Sequence, residues 1–143
     1  MKLEEITYQI RGAIFDVYNE LGPGLLESVY ERALMFEMKH RGLNIQNQVA
    51  FDVLYKGASL GIQQRIDLLV NDQVVIELKS VEKLLPVHHK QLISYLKLTS
   101  KPLGLLVNFN THVITDNIIR IANDLQNPEL QARTSSDPKN INQ

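Results

Sequence analysis

A chain of 143 residues has room for one domain with a sizeable core, and not for two. It contains no cysteine, which excludes a disulfide framework and a thiolate zinc site. Fifteen Lys and Arg against sixteen Asp and Glu leave a formal net charge of −1, which argues against a protein that grips nucleic acid through a broad basic stripe.

Charges at Lys2, Glu4, Glu5, Arg11 and Asp16 leave no apolar region for a signal peptide, and no later segment is apolar enough to span a membrane. The expected location is the cytoplasm. From Leu3 to Leu21 the residues Ile6, Ile10, Ala13, Ile14 and Val17 recur at spacings of three and four, which predicts an amphipathic helix ended by Gly22-Pro23-Gly24. A second helix follows to about Lys39 and stops at Arg41-Gly42. The period then changes to two. Ile45 to Tyr55 alternates as a half-buried strand does, and Lys56-Gly57 reads as a turn. Leu60 to Val70 makes a second strand with a phase shift near Gly61, and Asn71-Asp72 turns the chain into a third, more apolar strand, Val74 to Leu78. These short connections predict an antiparallel meander.

Pro86 opens a helix to about Thr99, and Leu103 to Phe109 is an apolar strand. A strand, a helix and a strand in succession predict a parallel pairing through a crossover. Asn117 to Leu125 is expected to be a closing helix, with residues 126–143 a polar, flexible tail beyond a single domain of residues 1–125.

Three clusters could carry chemistry. On a strand, Glu77 and Lys79 share a face, as do Arg65 and Asp67. A hairpin at Asn71-Asp72 would set Asp67 near Glu77. Charges in a strand as apolar as VVIELKS need a partner, and a hard divalent cation on carboxylate oxygens is one. A plain strand-edge ion pair between Glu77 and Lys79 is the competing reading. The helix after Pro86 carries His88, Gln91 and Tyr95 on one face. Gln91 could bond Lys79 or a substrate phosphate with Tyr95 behind it, while His88 is more ordinarily a cap. In Gly24-Leu25-Leu26-Glu27-Ser28-Val29-Tyr30, Glu27 sits in the first helical turn, where the dipole favours a carboxylate, and Tyr30 projects from nearly the same side.

Taken together, the blocks LGPGLLESVYERAL, RIDLLV, VIELKSVEKLLPVHHKQLISYLKLT and LGLLVNF resemble the GxxExxY family, spelled here by Gly24, Glu27 and Tyr30. The resemblance runs from about Leu3 to Ala122. That family is placed in the PD-(D/E)XK nuclease superfamily. The likeness implies a restriction-endonuclease-like α/β fold: a mixed four-stranded sheet, three antiparallel strands and one after a crossover helix, flanked by helices. It further implies Asp67 and Glu77 as metal carboxylates, Glu27 as another acidic ligand, Lys79 as the catalytic lysine and the Leu78 carbonyl facing the metal. Gln91 would be the polar residue of the following helix, with Tyr95 after it. The proline of the superfamily's name is replaced by Ile66.

The expectation is therefore a Mg²⁺-dependent nuclease, Mn²⁺ being an alternative ion. It would act on DNA, with RNA left open, and use Arg65 and His88 as lesser phosphate contacts. The alternative is a catalytically silent module of the same fold that binds nucleic acid or a protein partner. No membrane partner is expected, and self-association is left open.

Overall fold

The computed structural model describes residues 1–123. One five-stranded sheet in the order β1-β2-β3-β4-β5 is covered on one face by two helices and on the other by a third. Helix α1 (Leu3–Leu21) presents Ile6, Ile10, Ala13, Ile14 and Val17 as its buried stripe, and α2 (Glu27–His40) adds Tyr30, Leu34 and Met38. Both pack on Leu68, Val70, Val74, Ile76 and Leu78 of the sheet.

Strands β1 (Ile45–Tyr55), β2 (Ala58–Val70) and β3 (Val74–Lys79) form the predicted meander. Lys56 and Gly57 both have positive φ, as a two-residue hairpin turn requires. The expected phase shift is present, lying between Asp52 and Leu54 opposite Gly61, whose own φ is +70. Helix α3 (Pro86–Thr99) crosses over, and β4 (Leu103–Asn108) pairs parallel with β3. A Cβ on Gly104 would stand 2.9 Å from Leu92 Cδ1, so any larger residue would force the Leu92 side chain to shift where α3 packs on β4. No described helix is long and apolar enough to cross a membrane.

The expected closing helix from Asn117 to Leu125 is not formed where the chain is described. A 3₁₀ turn (Ile114–Asn117) leads into β5 (Ile118–Ala122), antiparallel to β4, so the sheet has five strands rather than four. The local chemistry explains the correction. Ile118 packs into the α1/α2 side while Ile119 and Ile121 pack on the α3 side, the two-residue alternation of a strand, and three isoleucines suit a pleated surface. The expected tail at 126–143 lies outside the described residues.

Candidate metal centre

The meander holds together unevenly. Strand β3 pairs with β2 at only three positions, Leu68↔Ile76, Leu69↔Val75 and Val70↔Val74, and then leaves it while staying paired with β4 as far as Lys79↔Asn108. Where β2 and β3 part, side chains take over the ladder. Glu77 Oε1 accepts from the Asp67 N–H at 3.2 Å, and Asp67 Oδ2 accepts from the Leu78 N–H at 2.9 Å. Two carboxylates thus fill one gap in the sheet.

The simple alternation that would put Arg65 and Asp67 on one face breaks here. Ile66 packs on the α3 side and Leu68, two residues on, packs on the α1/α2 side. The partner strand does the same, with Ile45 against one cluster and Val49 against the other. Between them Gln48 has a φ of +52, costly for a residue with a Cβ. This local twist turns Asp67 into a cleft of about 210 Å³ lined by Glu27, Ser28, Glu31, Gln48, Asp67 and Leu78. Glu77 and Lys79 keep the alternation of β3, opposite in sense to Ile76 and Leu78.

Burial sets the electrostatics. Glu77 is 5% exposed, and desolvation, then the charge of Asp67, push its carboxyl up to about 8. Asp67 is also raised, first by burial and then by Glu31, while its bond from Leu78 N–H works the other way. Lys79 is close enough to pull both carboxyls downward, but by less than burial raises them. Among the described residues it closes no salt bridge within 4 Å, so the Glu77–Lys79 pair is not the simple ion pair of the competing reading.

The remaining candidates have specific employments. Glu27, the first residue of α2, accepts from Ser80 N–H at 3.3 Å just past the end of β3. Tyr30 does not hold that carboxylate. Its hydroxyl donates to the Gly22 carbonyl at 2.6 Å and accepts from Leu25 N–H at 3.1 Å, while its ring stacks on Phe109 at 4.3 Å. It fixes the loop that delivers Glu27. Gln91 Nε2 donates to Tyr95 Oη at 3.1 Å, and Tyr95 donates to Gln64 Oε1 at 3.0 Å, so Gln91 is bonded to β2 through Tyr95 and not to Lys79. His88 Nδ1 accepts from Leu85 N–H at 3.0 Å as a helix cap, and burial, then Lys79, lower its pKa. Arg65 is exposed on β2, paired with Ala50.

Sequence reasoning missed Glu31. It is buried, accepts from Gln48 Nε2 at 2.7 Å and shares the cleft with Asp67. Its position one helical turn after Glu27 was the available signal. Asn108 was missed as well. Buried at the end of β4, its side chain binds the Val81 N–H and carbonyl and so shapes the turn after Lys79.

The arrangement fits a hard cation in part. Asp67 and Glu77 are neighbouring oxygen donors whose charges repel in a dry site, the condition that Mg²⁺ relieves, and Mg²⁺ commonly uses only one or two carboxylates plus water and phosphate. The three-carboxylate set with Glu27 is not assembled. Among the described residues no three Asp, Glu or His side chains are grouped closely enough to hold one ion.

The family model of the PD-(D/E)XK nuclease superfamily matches residues 4–121. Among solved structures, the crystal structure of SSO0001 is similar at 25% identity and a TM-score of 0.48. The match covers 78% of this chain and 56% of that one, so the chain spans little more than half of that protein's length. No curated protein matches.

Proposed function

The chain belongs to the PD-(D/E)XK nuclease superfamily, and from that premise we propose that it is a Mg²⁺-dependent phosphodiesterase acting on DNA. The observation that supports this reading most is the pair Asp67 and Glu77, set side by side where β2 and β3 separate, with Lys79 two residues on. Asp67 and Glu77 would hold the cation, and Mn²⁺ would substitute for it. A bound Mg²⁺ supplies Lewis acidity to the phosphate and lowers the pKa of water.

The rest falls to the chain itself. Lys79, half-buried beside the carboxyls, orients the attacking water and offsets charge that builds on the phosphate as the new P–O bond forms and the bond to the leaving sugar oxygen breaks. Glu27 and Glu31 border the cleft and keep its mouth negative, which favours a cation between Asp67 and an incoming phosphate. Gln91, held by Tyr95, faces the same end of the sheet from α3, and Arg65 offers a phosphate contact from β2. His88 is assigned as a helix cap, its pKa lowered first by burial and then by Lys79.

The test is cleavage of single-stranded, duplex and branched DNA in Mg²⁺ and Mn²⁺. Cutting is expected for the wild type, none in chelator, and a loss of at least about a thousandfold in Glu77→Ala and Lys79→Ala. Wild-type protein that leaves every substrate intact would defeat the proposal. One observation favours a second reading, a silent module that binds nucleic acid or a protein: no three-ligand group is assembled among the described residues. Binding that is indifferent to chelator and to Asp67→Asn would favour that reading.

A further inference from the structure

Outside the carboxylate site, β1 and β2 form a ribbon that runs beyond the sheet. Their pairing continues from Val49↔Ile66 out to Tyr55↔Ala58, while β3 stops at Leu68. The two strands therefore run on by themselves for about 20 Å at strand rise. Every residue of β2 from Ala58 to Arg65 is exposed. Leu54, Tyr55, Leu60 and Ile62 are each more than half exposed, which is unusual for a sheet that protects its edges.

The composition of the ribbon says what it suits. Between Val49 and Ile66 lie two side-chain amides, Gln63 and Gln64, and the cations Lys56 and Arg65, against one carboxylate, Asp52. That carboxylate is itself engaged by Gln63 Nε2 at 2.9 Å. The ribbon is locally positive in a chain whose formal net charge is −1. Amides read adenine edges, Arg and Lys read guanine, and apolar side chains meet the thymine methyl. The ribbon also begins at the site, since Arg65 and Asp67 are two residues apart on β2.

We propose that the β1–β2 ribbon is an arm that seats in the major groove of duplex DNA and sets the backbone over Asp67 and Glu77. The B-form major groove, about 12 Å wide, admits a two-stranded ribbon, whereas that of A-form RNA is too narrow. The inference rests on the nuclease reading and narrows its substrate to duplex DNA.

Fluorescence anisotropy with a labelled DNA duplex, and with the RNA duplex of the same sequence, tests it. Measurement in Ca²⁺ and again in chelator separates binding from cutting. The wild type is expected to prefer DNA by roughly tenfold or more. Lys56→Glu at the turn combined with Gln63→Ala on the exposed length of β2 leaves the core untouched, so circular dichroism should stay unchanged and the melting temperature nearly so, while DNA affinity falls roughly tenfold. Equal binding of DNA and RNA duplexes, or wild-type affinity in the double variant, overturns the arm. If cleavage persists in those cases, the nuclease reading stands without it. A double variant that is monomeric where the wild type is dimeric, with DNA affinity unchanged, makes the ribbon a self-association arm and also overturns the proposal. Wild-type protein that neither binds nor cuts DNA removes both readings together.

Discussion

Asp67 and Glu77 each bind a backbone N–H on the other's strand: Glu77 Oε1 accepts from Asp67 itself at 3.2 Å, and Asp67 Oδ2 accepts from Leu78 at 2.9 Å. The two acids thereby replace ladder bonds that β2 and β3 stop making after Leu68↔Ile76. Stability and chemistry are tied to the same four oxygens. Any change in the charge of either carboxyl is felt as a change in how firmly the strands are held.

The sign of the pH dependence follows from that. Burial, then Asp67, raise the Glu77 carboxyl from an unfolded value of 4.5 to about 8 in the folded protein. Between those values the folded state keeps a proton that the unfolded chain has lost, so stability is fullest below 4.5 and falls as pH rises toward 8. The loss is on the order of a few kcal/mol. Chemical denaturation of metal-free protein across this window should show the decline, and Glu77→Gln, which keeps the acceptor without the charge, should flatten it. A decline of the same size in Glu77→Gln would assign it to other groups.

Cation binding should reverse that trend. An ion that binds only the folded state stabilises it by about 2.7 kcal/mol at a hundred times its dissociation constant. Mg²⁺, Mn²⁺ or Ca²⁺ should therefore raise the melting temperature. Because the bound form needs ionised carboxylates, the rise should be larger at pH 8 than at pH 6. Asp67→Asn should blunt it at both. A melting temperature that ignores millimolar divalent ions at pH 8 would leave the pair as an unexplained buried charge.

The sheet and its helices were legible because their apolar residues keep a period: Ile6, Ile10, Ala13 and Ile14 fall on one helical stripe, and Val74, Ile76 and Leu78 on one strand face. The pairing of Asp67 with Glu77 was also legible, from the short Asn71-Asp72 turn. What failed to show was whatever breaks period. The face switch at Gln48 and Asp67 depends on a positive φ at a residue that gives no local warning. Ile118 to Ile121 was too short to separate a strand from a helix, and the edge of β4 decided it. Nothing around Glu31 in the sequence signals that Gln48 lies over it, because that same twist is what brings Gln48 there.

Tyr30 supplies a test of positioning apart from charge. Its hydroxyl joins the Gly22 carbonyl to the Leu25 N–H, and Ser80 Oγ, which donates to the Leu25 carbonyl at 2.6 Å, ties the same loop to the end of β3. Tyr30→Phe keeps the stack on Phe109 and removes the hydroxyl from a buried site, at about 1–2 kcal/mol of stability. Glu27 should lose its fixed entry into the cleft, and cleavage should fall roughly tenfold. The divalent shift in melting temperature should persist, since Asp67 and Glu77 are untouched. A variant that loses the shift as well would mean that the loop helps to assemble the cation site.

Tyr95 offers the last test, on the opposite face of the sheet. Its ring meets Phe51 edge-on at 5.1 Å, and its hydroxyl stands between Gln64 Oε1 and Gln91 Nε2. Burial, then the charge of Glu77, raise its pKa, which favours the neutral, donating hydroxyl. Tyr95→Phe preserves the ring contact and strands two amides that water can partly satisfy, so stability should drop by only about 1 kcal/mol. If Gln91 acts only in the orientation Tyr95 gives it, Tyr95→Phe and Gln91→Ala should lower turnover by similar factors. The double variant should then be little worse than either, because contacting residues that act as one unit are not additive. Additive losses would show that Gln91 serves the substrate independently of Tyr95.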